Sequence, residues 1–149
     1  MNADIYITVS SAFPQVSEKM YGYVLATEIR GEVKTREGFG ECEATYHGAV
    51  LEAMAAALGR FNKRCDICIH SEDAYVMNTL EKIEYWKERG YLNASGQPMG
   101  HQQNWMKIGA ESVKHCISGV IEKHEFTSWL QQEMERKKEE SRKEGEEQE

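Results

Sequence analysis

The chain has 149 residues, of which 40% are hydrophobic and 29% charged, and its formal net charge at pH 7 is −7. This length predicts one domain with a sizeable core, and the acidic balance argues against strong non-specific binding of nucleic acid, which requires lysine and arginine. Because no apolar run is long enough to span a membrane and the N-terminus lacks a secretory signal pattern, we expect a cytoplasmic protein.

Three strand-like segments come first in the chain. Residues 4–11 alternate apolar with polar or aromatic side chains, which is the pattern of a half-buried strand. Residues 20–28 and 32–45 also have strand-like composition, and Gly31 between them marks a tight turn. Short turns between successive strands predict an antiparallel meander.

The middle of the chain predicts a helix, a strand and a second helix. Residues 45–61 are rich in alanine, leucine and other helix-forming residues. Residues 66–70 form a short apolar strand, and the helix before it implies that this strand pairs in parallel with the first one. Ser71 is the predicted cap of the next helix, with Glu72 and Asp73 in its first turn.

The rest of the chain predicts three further helices and one strand. The first of these helices covers residues 78–89, another covers 102–112, a final strand covers 113–117 and a closing helix covers 125–142. This order of elements predicts an α/β fold with a mixed five-stranded sheet and helices on both faces. Three antiparallel strands would be followed by two parallel ones.

Composition divides the chain into two parts. Residues 1–130 are predicted to form the folded domain. Residues 131–149 carry eight glutamates and five lysines or arginines without apolar spacing, which predicts a charged C-terminal helix extension or a disordered tail. Because this segment offers almost no apolar face, we expect residues 1–130 to be stable without it.

Cys65 and Cys68 form a C-x-x-C motif, which occurs in metal and redox sites. Residues three apart on a strand point to opposite faces, and no second pair of cysteines or histidines has ligand spacing. We therefore interpret all four cysteines, which include Cys42 and Cys116, as reduced and mostly buried thiols.

The order of five motifs resembles the type 1 ribonuclease H family. The motifs are an alanine-rich helix from Val50, the run Ser71-Glu72-Asp73-Ala74-Tyr75-Val76, an aromatic and basic handle at residues 85–91, a Gly-Gln-Pro turn at residues 96–98, and Trp105. The resemblance covers residues 3–131 and implies a ribonuclease H-like fold. In that family, four acidic side chains hold two divalent metal ions that hydrolyse the RNA of an RNA·DNA hybrid.

The resemblance also implies that most of the four acidic positions are altered. Val9 stands in the place of the first-strand acid, Val50 in that of the helix acid, and Ser128 in that of the last-helix acid. Glu72 alone keeps a carboxylate, and His124 lies near the family's glycine–histidine loop but out of pattern. These replacements indicate a catalytically degenerate domain, so a role as an enzyme is the less favoured interpretation. Glu72 would bind a metal weakly or not at all, and no cofactor is expected.

Two alternatives stay open. One is an active ribonuclease H that uses Mg²⁺ or Mn²⁺ and relocated acids: Glu52 in the helix, Asp73 beside Glu72, or Glu41 or Glu43 from the third strand. In the plainer interpretation, Glu52 is a solvent-facing charge and the acidic pair caps a helix. The other alternative is a purely structural domain that binds proteins through its charged C-terminal helix.

Candidate binding residues follow from the same resemblance. In the family, the handle and the tryptophan-bearing helix hold the DNA strand of the hybrid, and Trp86, Lys87, Arg89 and Trp105 stand in matching places. Thr45 precedes the first helix, where a hydroxyl and helix amides can hold a phosphate. The favoured hypothesis is a binding module. Its ligand would be RNA·DNA hybrid or single-stranded nucleic acid, bound weakly, or a protein partner, and we expect no binding to a membrane.

Overall fold

The computed structural model of the protein describes residues 1–147. Along these residues the elements are β1 (Asn2–Val9), β2 (Ser17–Ile29), β3 (Glu32–Ala44), α1 (Tyr46–Leu58), β4 (Asp66–Ser71), α2 (Ala74–Glu81), α3 (Ile83–Glu88), α4 (Gln102–Lys114), β5 (Cys116–Ile121) and α5 (Thr127–Glu147). None of the helices in this part of the chain combines the length and the apolar character needed to cross a lipid bilayer.

The strands form one mixed sheet in the order β3-β2-β1-β4-β5. β1 pairs antiparallel with β2 and parallel with β4, so that Ile5 lies between Leu25 and Ile69. β5 is in turn parallel to β4. Since α1 carries the chain back to the start of the sheet, the fourth strand must run in the direction of the first. The predicted order of three antiparallel strands followed by two parallel ones is confirmed.

The core lies between the sheet and α1. Leu51 and Met54 on α1 are fully buried and pack with inward-facing side chains of β1 such as Ile5. α4 packs against α1 and contributes Trp105 and Ile108, which are also fully buried. A helix enclosed on most sides needs no polar stripe, which explains the alanine- and leucine-rich composition of α1.

α5 covers part of the opposite face of the sheet. Leu130 and Met134 are buried there, and α5 contacts β1 and β2. Gly22 on β2 leaves room for this helix, because a Cβ there would lie 3.1 Å from the Leu130 Cδ2 atom and 3.0 Å from the Phe39 ring. Helices therefore lie on both faces, as predicted, while the β4 and β5 side of this second face is less covered.

The cap of α2 differs from the prediction. The side chain of Asp73 accepts a hydrogen bond from the Val76 backbone N–H and caps the helix. Ser71, the predicted cap, is the last residue of β4 and pairs with Ile121 of β5. The parallel partner strand extends β4 by one residue, and this moves the helix start two residues along the chain.

Two further boundaries were wrong. The range predicted as one helix, residues 78–89, contains the end of α2 and the whole of α3, which meet at Lys82 with φ −103° and ψ 20°. The strand predicted over residues 113–117 begins at Cys116, because α4 continues to Lys114 and leaves Val113 70% exposed. Local β-propensity favoured the earlier start, but pairing with β4 decides where β5 begins.

The cysteines are free thiols, as predicted, but most of them are not buried. Cys65 is buried, Cys42 and Cys68 are half-buried, and Cys116 is exposed. Cys68 is accessible because its side chain lies on the second face of β4, beyond the part that α5 covers.

α5 crosses the boundary predicted at residue 130. Met134 is buried, whereas the side chains of residues 135–145 are mostly exposed. Arg136 forms ion pairs with Glu133 at 2.8 Å and with Glu140 at 2.6 Å. These i,i+3 and i,i+4 pairs favour helix in a segment without an apolar face. Residues 148–149 of the predicted tail lie outside the described residues.

Candidate functional site

A small cavity, here called the carboxyl-end cavity, opens where β1 and β4 end side by side. Its volume is about 110 Å³, and its wall includes Val9 at the end of β1, Val50 on α1, Glu72 after β4 and Gln131 on α5. Because the carboxyl ends of parallel strands meet at the same edge of a sheet, ligand sites of α/β proteins commonly lie there.

The two cavity positions that the resemblance assigns to Val9 and Val50 instead of acids are buried. Val9 is 7% exposed and Val50 is 1% exposed. Among the described residues that line the cavity, Glu72 supplies the single carboxylate, and its side chain reaches solvent. Two divalent ions about 4 Å apart need several anionic oxygens between them. The remaining polar groups of the wall are mainly the hydroxyls of Thr8, Ser10, Ser11, Tyr46 and Ser71.

α5 presents Gln131 to the cavity, and Ser128 does not line it. The Gln131 Nε2 atom donates a hydrogen bond to the Val9 carbonyl at 3.1 Å, which ties α5 to the end of β1. Ser128 is exposed, three residues earlier on the same helix. Gln131 was not among the predicted site residues. It lies three residues after Ser128, so the two side chains share one side of the helix.

The alternative acids on α1 and β3 lie away from the cavity. Glu52 is two residues from Val50, which is about 200° around the helix. Glu52 is half-buried and faces Cys42, whose thiol pKa is raised by burial and then by the charge of Glu52. Glu41 and Glu43 do not line the cavity but a groove of about 680 Å³ between α5 and the strands β2 and β3, which adjoins the cavity at Ser10, Ser11 and Gln131.

Asp73 serves the local structure. Its side chain is buried, caps α2 through the Val76 N–H, and accepts a hydrogen bond from the His47 Nδ1 atom at 2.7 Å. Both carboxylate oxygens therefore already have partners, which agrees with the capping interpretation of this residue.

A polar and aromatic patch surrounds the start of α1, next to the cavity. Burial, followed by the negative charges of Asp73 and Glu72, raises the pKa of Tyr46 to about 12, so its hydroxyl is a neutral donor near pH 7. The His47 ring lies 4.7 Å from the ring of Tyr75. This patch presents hydrogen-bond donors and an aromatic face toward solvent.

Thr45, a predicted phosphate-binding residue, caps α1. Its Oγ1 atom accepts a hydrogen bond from the Gly48 N–H at 3.0 Å. His101 lies close by, and burial followed by the neighbouring His47 lowers its pKa. The histidines beside the helix start were not singled out from the sequence, because they are far apart in the chain.

Trp105 cannot stack on a nucleic-acid base in this structure. It is 0% exposed, and its indole Nε1 atom has no hydrogen-bond partner among the described residues. The prediction that Trp105 contacts nucleic acid directly is therefore wrong. The packing of α4 on α1 turns this side chain into the core.

The handle exposes a different set of side chains. Trp86 is half-buried, and the Lys87 Nζ atom donates to the Ser112 hydroxyl at 3.0 Å. Arg89 is exposed, and its guanidinium lies 4.5 Å from the centre of the Tyr85 ring. Tyr85 is 47% exposed, although the resemblance did not single it out as a binding residue. An exposed arginine stacked on a tyrosine is a surface on which an unpaired base can stack.

Comparisons with known proteins find similar sequences among curated ribonucleases H. No protein-family model matches the chain. The ribonuclease HI of Neisseria meningitidis is 31% identical over 80 residues, which are 53% of this chain and 55% of that protein. The ribonuclease H of Granulibacter bethesdensis is 29% identical over 97 residues, which are 64% of each protein. The chain thus spans between half and two thirds of the length of these curated relatives.

Solved structures share the fold. The RNase H domain of PFV, solved in solution, matches with a TM-score of 0.61 and 21% identity, over 84% of this chain and 81% of that one. A foamy viral protease-reverse transcriptase in complex with RNA/DNA hybrid matches with a TM-score of 0.64 and 20% identity, over 79% of this chain and 17% of that one. The chain has a ribonuclease H-like fold.

The side chains of the carboxyl-end cavity can now be compared with the ribonuclease H-like fold that surrounds it. The elements that by resemblance carry the first three acids meet at the carboxyl-end cavity, where they present Val9, Val50 and Glu72. The last helix also reaches the cavity, but through Gln131. Fold similarity therefore describes the scaffold, and the side chains decide the chemistry.

Proposed function

We propose that this ribonuclease H-like domain has lost two-metal hydrolysis and acts as a module that binds RNA·DNA hybrid. The observation that carries the proposal is the wall of the carboxyl-end cavity, where the buried Val9 and Val50 leave Glu72 as the single carboxylate. Hydrolysis needs two hard cations held by several oxygens, and one exposed carboxylate is a poor substitute for that set.

The apolar cavity wall also makes energetic sense for a domain without metal ions. Clustered carboxylates repel each other when no cation compensates their charge, and valines remove that repulsion. Val9 and Val50 instead add buried apolar surface between β1 and α1, which stabilises the fold.

Several exposed groups support a nucleic-acid ligand. The Tyr46 hydroxyl, His47 and the first amides of α1 offer donors to a phosphate beside the cavity, and Arg89 with Tyr85 offers a stacking surface. One similar solved structure contains RNA/DNA hybrid, and the curated relatives are named ribonuclease H. Because the chain is acidic overall, we expect the affinity to be modest and to fall as salt rises.

The test compares cleavage with binding in the same protein. We expect the wild type not to hydrolyse RNA·DNA hybrid in Mg²⁺ or Mn²⁺, and to bind uncleaved hybrid in a salt-dependent manner. Two triple variants with restored acids should be compared. Both carry Val9→Asp and Val50→Glu, and the third change is Ser128→Asp in one and Gln131→Asp in the other. The position that supports cleavage would identify the fourth acidic site.

Two outcomes would overturn the proposal. Cleavage by the wild type that Glu72→Gln abolishes would show an active enzyme with relocated acids. Absence of hybrid binding at low salt would point to a protein partner, and the exposed handle would then be a protein contact. A Glu28→Gln variant is the matched control, because Glu28 is exposed on β2 and lies outside the cavity.

A further inference from the structure

A second group of reactive side chains lies on the sheet face opposite α1. Asp4 on β1 and Cys68 on β4 are neighbours in the parallel register, and so are Tyr6 and His70. Side chains two residues apart on a strand share one face, so all four point to the same side of the sheet. None of them lines the carboxyl-end cavity.

Three of these residues bring different donor atoms together. A carboxylate oxygen of Asp4, the Sγ atom of Cys68 and a ring nitrogen of His70 all lie within 4.8 Å of one another. The His70 Nε2 atom is 2.8 Å from the Asp4 Oδ1 atom. All three residues are half-buried, so the group is preformed but still open to solvent.

The His70 ring is held in place from two further sides. Its Nδ1 atom lies 2.5 Å from the Oε1 atom of Glu122, which follows β5. The Tyr6 ring stacks on the imidazole with a centroid distance of 4.4 Å and an interplanar angle of 14°. A neutral imidazole that donates its Nδ1–H to Glu122 directs the Nε2 lone pair toward Asp4 and Cys68. Metal-binding histidines are commonly oriented in this way by a carboxylate.

We propose that Asp4, Cys68 and His70 bind a zinc ion, with Glu122 as the residue that orients His70. One oxygen, one sulfur and one nitrogen donor suit zinc, whereas Mg²⁺ and Ca²⁺ prefer oxygen ligands alone. Three protein ligands leave a fourth tetrahedral position for water, which the partly open surface can supply. Binding displaces the thiol proton and any proton shared between His70 and Asp4.

The zinc ion would connect β1 to β4 where α5 does not cover the sheet. The ligands come from neighbouring strands, and the orienting carboxylate comes from the end of a third strand. A bound ion would therefore stabilise the parallel half of the sheet, because it binds the folded arrangement and not the unfolded chain. This inference does not depend on the proposed function, since its readout requires no nucleic acid.

The test measures zinc binding by the full-length, metal-stripped chain with isothermal titration calorimetry. We expect one zinc ion per chain and a raised melting temperature, and Co²⁺ should give a thiolate-to-cobalt charge-transfer absorption. Cys68→Ser should abolish that absorption and weaken zinc binding by more than the roughly 10- to 100-fold typical of losing an orienting partner. Glu122→Gln should lower the affinity within that range and keep the absorption.

Cys116→Ser is the matched control, because Cys116 is exposed and lies outside the cluster. We expect this variant to bind zinc like the wild type. Absence of saturable zinc binding, or equal losses in Cys68→Ser and Cys116→Ser, would overturn the inference. Circular dichroism of each variant checks folding, and if His70→Gln fails to fold, the pair of cysteine variants still decides.

Discussion

The carboxyl-end cavity and the cluster on the second face use the same pair of strands in opposite ways. At the ends of β1 and β4, where the family resemblance implies acids, Val9 and Val50 form an apolar wall. A few residues earlier on the same strands, Asp4, Cys68 and His70 bring three donor atoms together, although no family motif pointed there. The backbone is suitable for metal ligands in both places, so side-chain identity at a given register decides where a cation can bind.

The two regions also differ in whether their side chains need polar partners. The cavity wall gains stability from burying apolar side chains, and it has little need of a ligand. In the cluster, the His70 side chain is 13% exposed and both ring nitrogens face carboxylates. Polar groups in such a position need their partners, so the cluster is sensitive to the loss of any member.

The largest effect should come from placing a charge in the cavity wall. Val50→Glu puts a carboxylate at a position that is 1% exposed, and we expect it to lower the free energy of unfolding by about 3–5 kcal/mol. Val50→Ile should cost less than about 1.5 kcal/mol. Urea denaturation measures both. A small loss for Val50→Glu would mean that the wall is more hydrated than its burial indicates.

Removing the central member of the cluster should have the next largest effect. His70→Ala deletes two hydrogen bonds to carboxylates and should cost about 2 kcal/mol in zinc-free protein, since Asp4 and Glu122 can be rehydrated once the ring is gone. Lys114→Ala, which breaks an exposed pair with Glu111, should change stability by less than about 0.5 kcal/mol. Equal losses in the two variants would show that the cluster contributes no more than a surface ion pair.

Binding variants separate the exposed handle from the buried tryptophan. Tyr85→Ala and Arg89→Ala should each weaken hybrid binding by about 1–3 kcal/mol if a base stacks there. Trp105→Phe should leave the affinity of folded protein unchanged, because Trp105 is fully buried. Fluorescence anisotropy with labelled hybrid measures these affinities. Equal weakening by all three changes would indicate an indirect effect through folding.

A pH titration probes His124, which lies beside the cluster. Its Nδ1 atom accepts from the Phe126 N–H and its Nε2 atom faces the Ile7 carbonyl, so the network holds one neutral tautomer. Burial lowers the pKa of His124 below 6.5, although the carbonyl of Ile7 and the charges of Glu122 and Glu72 oppose this.

As the pH falls, His124 is therefore protonated at a higher pH in the unfolded chain than in the folded one. The free energy of unfolding should decrease as the pH drops below about 6.5. His124→Gln should make this decline shallower in denaturation curves between pH 7 and pH 5. His101, whose pKa is also lowered, should keep part of the decline in that variant. An unchanged pH dependence would exclude His124 as its source.

The smallest effect is expected from removing the charged end of α5. Truncation after Met134 keeps the buried side chains of Leu130 and Met134 over the second face, and it should leave the melting temperature within a few degrees. Met134→Ala in the full chain should cost about 2–5 kcal/mol. Differential scanning calorimetry compares the two. A large drop on truncation would show that the later turns of α5 contact the body or a second chain.

The sequence by itself determined the framework of the protein. The helix predicted over residues 45–61 is α1 (Tyr46–Leu58), and the strand predicted over residues 66–70 is parallel to β1. Helix-forming composition and strand alternation are local properties, and a helical crossover restricts how the next strand can pair. The assignment of Val9, Val50 and Ser128 to the acidic positions rests on motif order and counted spacings, and it stays a prediction.

Only the tertiary structure decided which side chains share a surface. Trp105 looked like a binding residue until the packing of α4 on α1 placed it in the core, and Asp73 replaced Ser71 as a cap because β5 extends β4. Asp4 and His70 are 66 residues apart, and their contact depends on the parallel register of β1 and β4. A one-residue shift in that register would turn the ligands to opposite faces, and the joint burial of Ile5 and Ile69 on the other face of the sheet opposes such a shift.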